Sequence, residues 1–211
     1  MNRQEKLAII TQEKIVAIIR SKSQSNVSMI IDALVESGIK ALEITSNTAG
    51  FTEEIQKARK KYPNILIGAG TITNVNLAKK AVSAGAQFIV TPNTNSAVVT
   101  YAHKNELPVL MGALTPTEIC NANEAGADAV KLFPGGIESM GIPYYKAIKG
   151  PLSAITLFAV GGIGLHNIKE WFDAGIQGVG VGGDLTALNE TNSIANIKNT
   201  AKQMLKIVSE Y

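Results

Sequence analysis

The chain has 211 residues, 45% of them hydrophobic and 18% charged, a size and balance that predict one soluble domain with a full core. Its 20 basic and 17 acidic residues leave a net charge of +3 spread along the chain, which argues against a nucleic-acid surface. One cysteine, Cys120, excludes an intrachain disulfide and suits a reducing compartment. The segment MNRQEKLAIITQEK lacks the apolar core of a secretory leader, and no run reaches the ~18 apolar residues of a membrane span, so a cytoplasmic protein is expected.

Along the chain, short apolar runs alternate with amphipathic segments. The runs are KIVAII (14–19), IKALEI (39–44), NILIGA (64–69), AQFIV (86–90), PVLMG (108–112), DAVKLF (128–133), ITLFAV (155–160) and QGVGVG (177–182). Their nearly continuous hydrophobicity predicts strands buried on both faces, as in a parallel sheet. Segments such as NVSMIIDALVES (26–37) and HNIKEWFDA (166–174) have helical spacing, so each strand is expected to lead into a helix.

A helix-to-strand junction recurs as SGIKALE (37–43), AGAQFIV (84–90), AGADAVK (125–131) and AGIQGVG (174–180). Glycine there suits the left-handed turn that ends a helix. Gly38, Gly85, Gly126 and Gly175 are spaced by about two strand–helix units, marking every second strand of a repeat. Eight such units predict a single-domain (β/α)8 TIM barrel over 1–211. A doubly wound open sheet is the alternative, but it needs two edge strands and every run reads as buried.

The fifth residue after each repeat glycine is Glu43, Val90, Lys131 and Gly180. Glu43 and Lys131 thus occupy equivalent places, expected at the C-terminal ends of the second and sixth strands, where barrels carry chemistry. They could be rim charges or a structural ion pair. Yet opposite charges at equivalent positions in otherwise uncharged strands favour a catalytic pair. A lysine in apolar surroundings loses its proton easily, and a free amine attacks ketones to give an iminium, an electron sink for carbon–carbon cleavage. A neighbouring carboxylate suits the proton transfers.

Gly161 and Gly162 follow the seventh strand, and Gly182 and Gly183 follow the eighth, the two loops that bind phosphate in many barrels. Arg20 ends the first strand and could hold a carboxylate or phosphate. Thr71, after the third, offers a hydroxyl. His103 and His166 fall in helical segments, are expected at the surface, and have no ligand spacing to each other or to Cys120. No metal is therefore expected. No Rossmann or Walker fingerprint suggests a cofactor.

Through GIKALEIT around Glu43, IGAGT ending at Thr71 and GADAVKLFP around Lys131, the chain resembles the 2-keto-3-deoxy-6-phosphogluconate (KDPG) and 4-hydroxy-2-oxoglutarate (KHG) aldolases over nearly its whole length. The resemblance implies a metal-independent homotrimer in which Lys131 forms the Schiff base, Glu43 moves protons and Thr71 contacts the keto acid. It implies cleavage of the phosphogluconate-derived acid to pyruvate and glyceraldehyde 3-phosphate, with KHG giving pyruvate and glyoxylate. The chain departs from this family at Ser46-Asn47, where many members carry Leu-Arg, and at Gly182-Gly183, where the loop usually ends Gly-Ser. Asn47, Arg20 and IVTPN (89–93) match the sister phosphogalactonate (KDPGal) group, the alternative substrate series. A phosphosugar isomerase or epimerase, and a non-catalytic metabolite-binding protein, are the readings from other classes.

Overall fold

All eight apolar runs form strands, with boundaries moved by one to three residues. In a computed structural model, which describes residues 1–136, 141–188 and 192–211, they are β1 (Ile15–Ile19), β2 (Ala41–Thr45), β3 (Leu66–Gly70), β4 (Ile89–Val90), β5 (Val109–Ala113), β6 (Ala129–Leu132), β7 (Leu157–Val160) and β8 (Gly178–Val181). Neighbours pair in parallel in chain order, and β8 pairs with β1, so the sheet closes and the open-sheet alternative falls. The helices are α1 (Arg3–Glu13), α2 (Gln24–Glu36), α3 (Phe51–Lys61), α4 (Val75–Ser83), α5 (Ser96–Lys104), α6 (Pro116–Glu124), α7 (Gly141–Lys149), α8 (Ile168–Asp173) and α9 (Ile194–Val208). Among the described residues, none is long and apolar enough to cross a membrane.

The repeat glycines do what the sequence pattern implies. Gly38, Gly85, Gly126 and Gly175 have φ of +102°, +88°, +85° and +91°, the left-handed region that closes each helix. At Gly38 the chain turns back, with Ile39 N donating to Leu34 O at 3.1 Å, and β2 starts two residues later.

Side chains alternate between two apolar layers. Outward residues such as Leu42, Ile67 and Val130 pack against the helices. Inward residues Val16, Ala41, Leu66, Phe88, Leu110, Ala129 and Phe158 fill the barrel with Ile10 of α1, and each is at most 2% exposed. Gly68 and Gly178 make room for the two rings: a Cβ on either would lie 2.5 Å from Phe88 or 2.2 Å from Phe158.

α1 closes the N-terminal end of the barrel, and a buried carboxylate ties it there. Asp128 accepts from Val109 N and from His103 Nε2, each at 2.8 Å. Arg3 of α1 reaches both partners, with Nε 3.7 Å from Asp128 Oδ1 and Nη1 donating to His103 Nδ1 at 2.6 Å. His103 is therefore a half-buried linking residue and not the surface histidine expected from its helix face. Asp128→Ala leaves these donors without an acceptor, and we expect a loss of about 1–3 kcal/mol in urea unfolding with turnover unchanged.

Candidate active site

Ala41 and Glu43 are successive inward residues of β2, as Ala129 and Lys131 are of β6. The charged side chains thus stand one layer above the apolar filling. Each lies inside its strand and not at the final residue, deeper than the repeat pattern implies. Both are buried, Glu43 at 2% and Lys131 at 4% exposure. Although β2 and β6 face each other across the barrel, both side chains line one cavity of about 480 Å³ at the C-terminal mouth.

The space around each charge comes from its neighbours. Glu43 sits in register between Ile18 and Gly68, and Lys131 between Gly112 and Phe158. The Glu43 carboxylate lies over Gly70 of β3, where a Cβ would be 1.6 Å from Oε1. Lys131 Nζ stands 4.5 Å from the centroid of the Phe133 ring, a cation–π contact. The two charges form no direct ion pair, and the amine and carboxylate both face the cavity.

Burial pushes the Lys131 ammonium below its ordinary range, Glu43 opposes that shift, and Arg20 adds to it. Burial likewise raises the Glu43 carboxyl, against the pull of Lys131 and Arg20. Each group is thereby moved toward its neutral form, an amine that can attack and an acid that can donate.

Arg20, just past β1, lines the same cavity. Thr71 is not among the lining residues; its hydroxyl accepts from Arg20 Nη2 at 3.5 Å, so it meets the site through Arg20. Gly161, Gly162, Gly182 and Gly183 all line the cavity, as the loop reading implies. Gly161 and Gly162 have φ of +90° and +74°. Their loop is braced by Asn167, whose Nδ2 donates to Gly162 O at 2.8 Å while Oδ1 accepts from Gly164 N at 3.0 Å. These bonds hold Asn167 in a turn, so α8 starts at Ile168 and His166 lies outside the helix, exposed and lining the cavity. After β8, Thr186 Oγ1 donates to Ile18 O at 2.6 Å and ties the short 3-10 turn Gly183–Leu185 to β1.

Sequence reasoning missed Phe133, His166, Asn167 and Gly70. Phe133 follows Lys131 by two residues on the same side of the chain, a spacing that could have placed it. Gly70 and Asn167 act through contacts that no local pattern marks.

Residues 7–200 match the family described as KDPG and KHG aldolase. The chain belongs to this family. It is 34% identical over 203 residues to the 2-dehydro-3-deoxy-6-phosphogalactonate aldolase of Escherichia coli (strain K12), covering 95% of this chain and 96% of that one. The solved native KDPGal structure superposes with a TM-score of 0.84 at 34% identity, covering 93% of this chain and 94% of its own. A KDPG aldolase from Legionella pneumophila, solved with pyruvate captured at low pH as a covalent carbinolamine, gives a TM-score of 0.79 at 25% identity, covering 96% and 95%.

The protein is thus an aldolase, a carbon–carbon lyase. In this aldolase the two family departures fall near the mouth. Asn47 is exposed in the turn after β2. Gly183 has open space where a side chain would stand, but its φ of +50° disfavours one. Gly70→Ala should displace the Glu43 carboxylate and lower kcat about 10²-fold, with KM less affected, in a steady-state pyruvate assay.

Proposed function

We propose that this aldolase acts through a Schiff base on Lys131, cleaving a 2-keto-3-deoxy-6-phospho sugar acid to pyruvate and glyceraldehyde 3-phosphate. The observation that carries the reading is that Lys131 supplies the only lysine amine among the described residues lining the cavity, buried and facing a buried carboxyl. The carbinolamine in the Legionella pneumophila relative supports it, because a carbinolamine requires an amine.

The neutral Lys131 amine adds to the C2 carbonyl, and Glu43 donates a proton to the departing hydroxyl so that water leaves and an iminium remains. The Glu43 carboxylate then takes the proton of the C4 hydroxyl. The C3–C4 electrons flow into the iminium, giving an enamine and releasing the aldehyde. Protonation at C3 and hydrolysis return pyruvate and the free amine. Backbone N–H groups at the two glycine loops, and the Arg20 fork, suit the phosphate and carboxylate ends of the substrate.

The phosphogluconate-derived acid is the first reading. The phosphogalactonate-derived acid is the second, favoured by Arg20, Asn47 and the 34% likeness that extends over 95% of the chain. Parallel turnover of both acids and of 4-hydroxy-2-oxoglutarate, with pyruvate as readout, separates them; turnover of the galactonate series alone replaces the first reading with the second. Borohydride added with pyruvate should leave a three-carbon adduct on Lys131, and an adduct on another lysine would defeat the mechanism. A homotrimer is the proposed assembly, checked by sedimentation. The single cysteine supports a cytoplasmic setting.

A further inference from the structure

The N-terminal end of the barrel, away from Lys131, carries a second polar cavity of about 370 Å³. Its walls include Lys6 of α1, Arg59 of the last turn of α3, Gly85 and Gln87 before β4, and Asn105 before β5. Two cations from elements far apart in sequence thus meet at one hollow.

Neither cation forms an ion pair with a described residue. Arg59 makes no hydrogen bond or ion pair with any described residue, and its Nη1 is the one buried side-chain nitrogen or oxygen there without a partner. Burial lowers its affinity for the proton, and no carboxylate acts against that. Lys6 is 8% exposed and gives one hydrogen bond, from Nζ to Glu106 O at 2.7 Å. Burial pushes Lys6 down as well; Glu106 and Glu5 oppose the shift, and Arg59 adds to it by repulsion.

The nearby acids act on Lys6 through space, and each has a hydrogen-bond partner of its own. Glu106 Oε2 accepts from Arg3 N at 3.2 Å, and Glu5 Oε2 accepts from Asn2 N at 2.8 Å beside the chain's amino terminus. A guanidinium nitrogen buried without an acceptor is unfavourable, and an entering oxyanion would relieve it. The remaining N–H groups of Lys6 and the planar fork of Arg59 suit an anion with several oxygens and close to two negative charges. A volume of about 370 Å³ leaves room for more than the bare ion.

We propose that this basal cavity binds a phosphate-bearing metabolite, with Arg59 and Lys6 as its cationic contacts. It is separate from the phosphate loops at the mouth, since the apolar barrel filling lies between the two ends. A ligand there would join α1, α3 and the loops entering β4 and β5, and so fasten the end opposite the catalytic mouth.

Inorganic phosphate, titrated into the full chain at constant ionic strength and followed by amide NMR, tests the proposal. The amides of Gly85, Gln87 and Asn105 should shift and saturate in the millimolar range, with Gly161 and Gly183 reporting the mouth separately. In Arg59→Met the basal response should weaken about ten- to hundredfold while the mouth response and turnover stay at wild-type values. Basal amides that do not respond, that respond equally to chloride, or that keep their affinity in Arg59→Met would overturn it. If Arg59→Met fails to fold, Lys6→Met carries the same expectation, and the wild-type titration stands independently.

Discussion

Lys131→Met is expected to lower pyruvate release by about 10⁴-fold or more and to abolish borohydride trapping. The loss is large because the proposed covalent step has no substitute: no other described lysine lines the cavity. Residual turnover near the wild-type rate would favour proton exchange without an imine, the chemistry of an isomerase. Methionine has a similar unbranched stem, so the barrel should keep its packing. Stability supplies a second reading of the same variant. A depressed folded-state lysine pKa contributes stability that is fully present above the unfolded value of 10.5 and is lost as pH falls through the folded value. Near neutrality wild type therefore bears the cost of burying the Lys131 ammonium or of giving up its proton, a cost the methionine removes, and burial already favours the protonated form of Glu43. Lys131→Met should unfold at higher urea than wild type near neutrality, with the difference shrinking toward pH 10.5.

Glu43→Gln keeps the shape of the carboxyl and removes its proton chemistry. We expect kcat to fall about 10²- to 10⁴-fold with KM little changed, and the pyruvate adduct on Lys131 to form more slowly but still on that residue. Because the acid form of Glu43 donates the first proton, its titration should appear as an alkaline limb of the wild-type kcat/KM profile, with a midpoint above the ordinary carboxyl value of 4.5, and that limb should vanish in the variant. For a carboxyl with a raised folded-state pKa, the stabilising contribution is full below the unfolded value and is lost as pH rises through the folded value. The urea midpoint of wild type should therefore fall relative to Glu43→Gln as pH climbs above 4.5. Equal turnover in the two proteins would remove Glu43 from the reaction.

The barrel was legible because burial on both faces of a parallel strand leaves a continuous apolar run, and because Gly38, Gly85, Gly126 and Gly175 mark helix ends. Glu43 and Lys131 were legible as charges at matching positions in those runs. What local pattern hid depends on partners remote in sequence. The fourth run spans five residues, yet β4 has two, and at its entry the Gln87 side chain accepts from the remote Ile67 N at 3.0 Å. His103 finds Asp128 across 25 positions, and His166 leaves its helix because Asn167 bonds to the glycine loop. Gly70 reads as one more glycine until the Glu43 carboxylate is seen lying over it.

The apolar plug of Ile10, Phe88 and Phe158 closes the cavity beneath Lys131, so that among the described residues it opens toward the C-terminal mouth. Traffic through it must be sequential. On the proposed Schiff-base route the pyruvyl fragment stays bonded to Lys131 at the floor, so the phosphorylated aldehyde has to leave first. Kinetically this is an ordered one-substrate, two-product scheme. Pyruvate, the last to leave, should compete with the sugar acid for the free enzyme, and the aldehyde should inhibit in a mixed pattern.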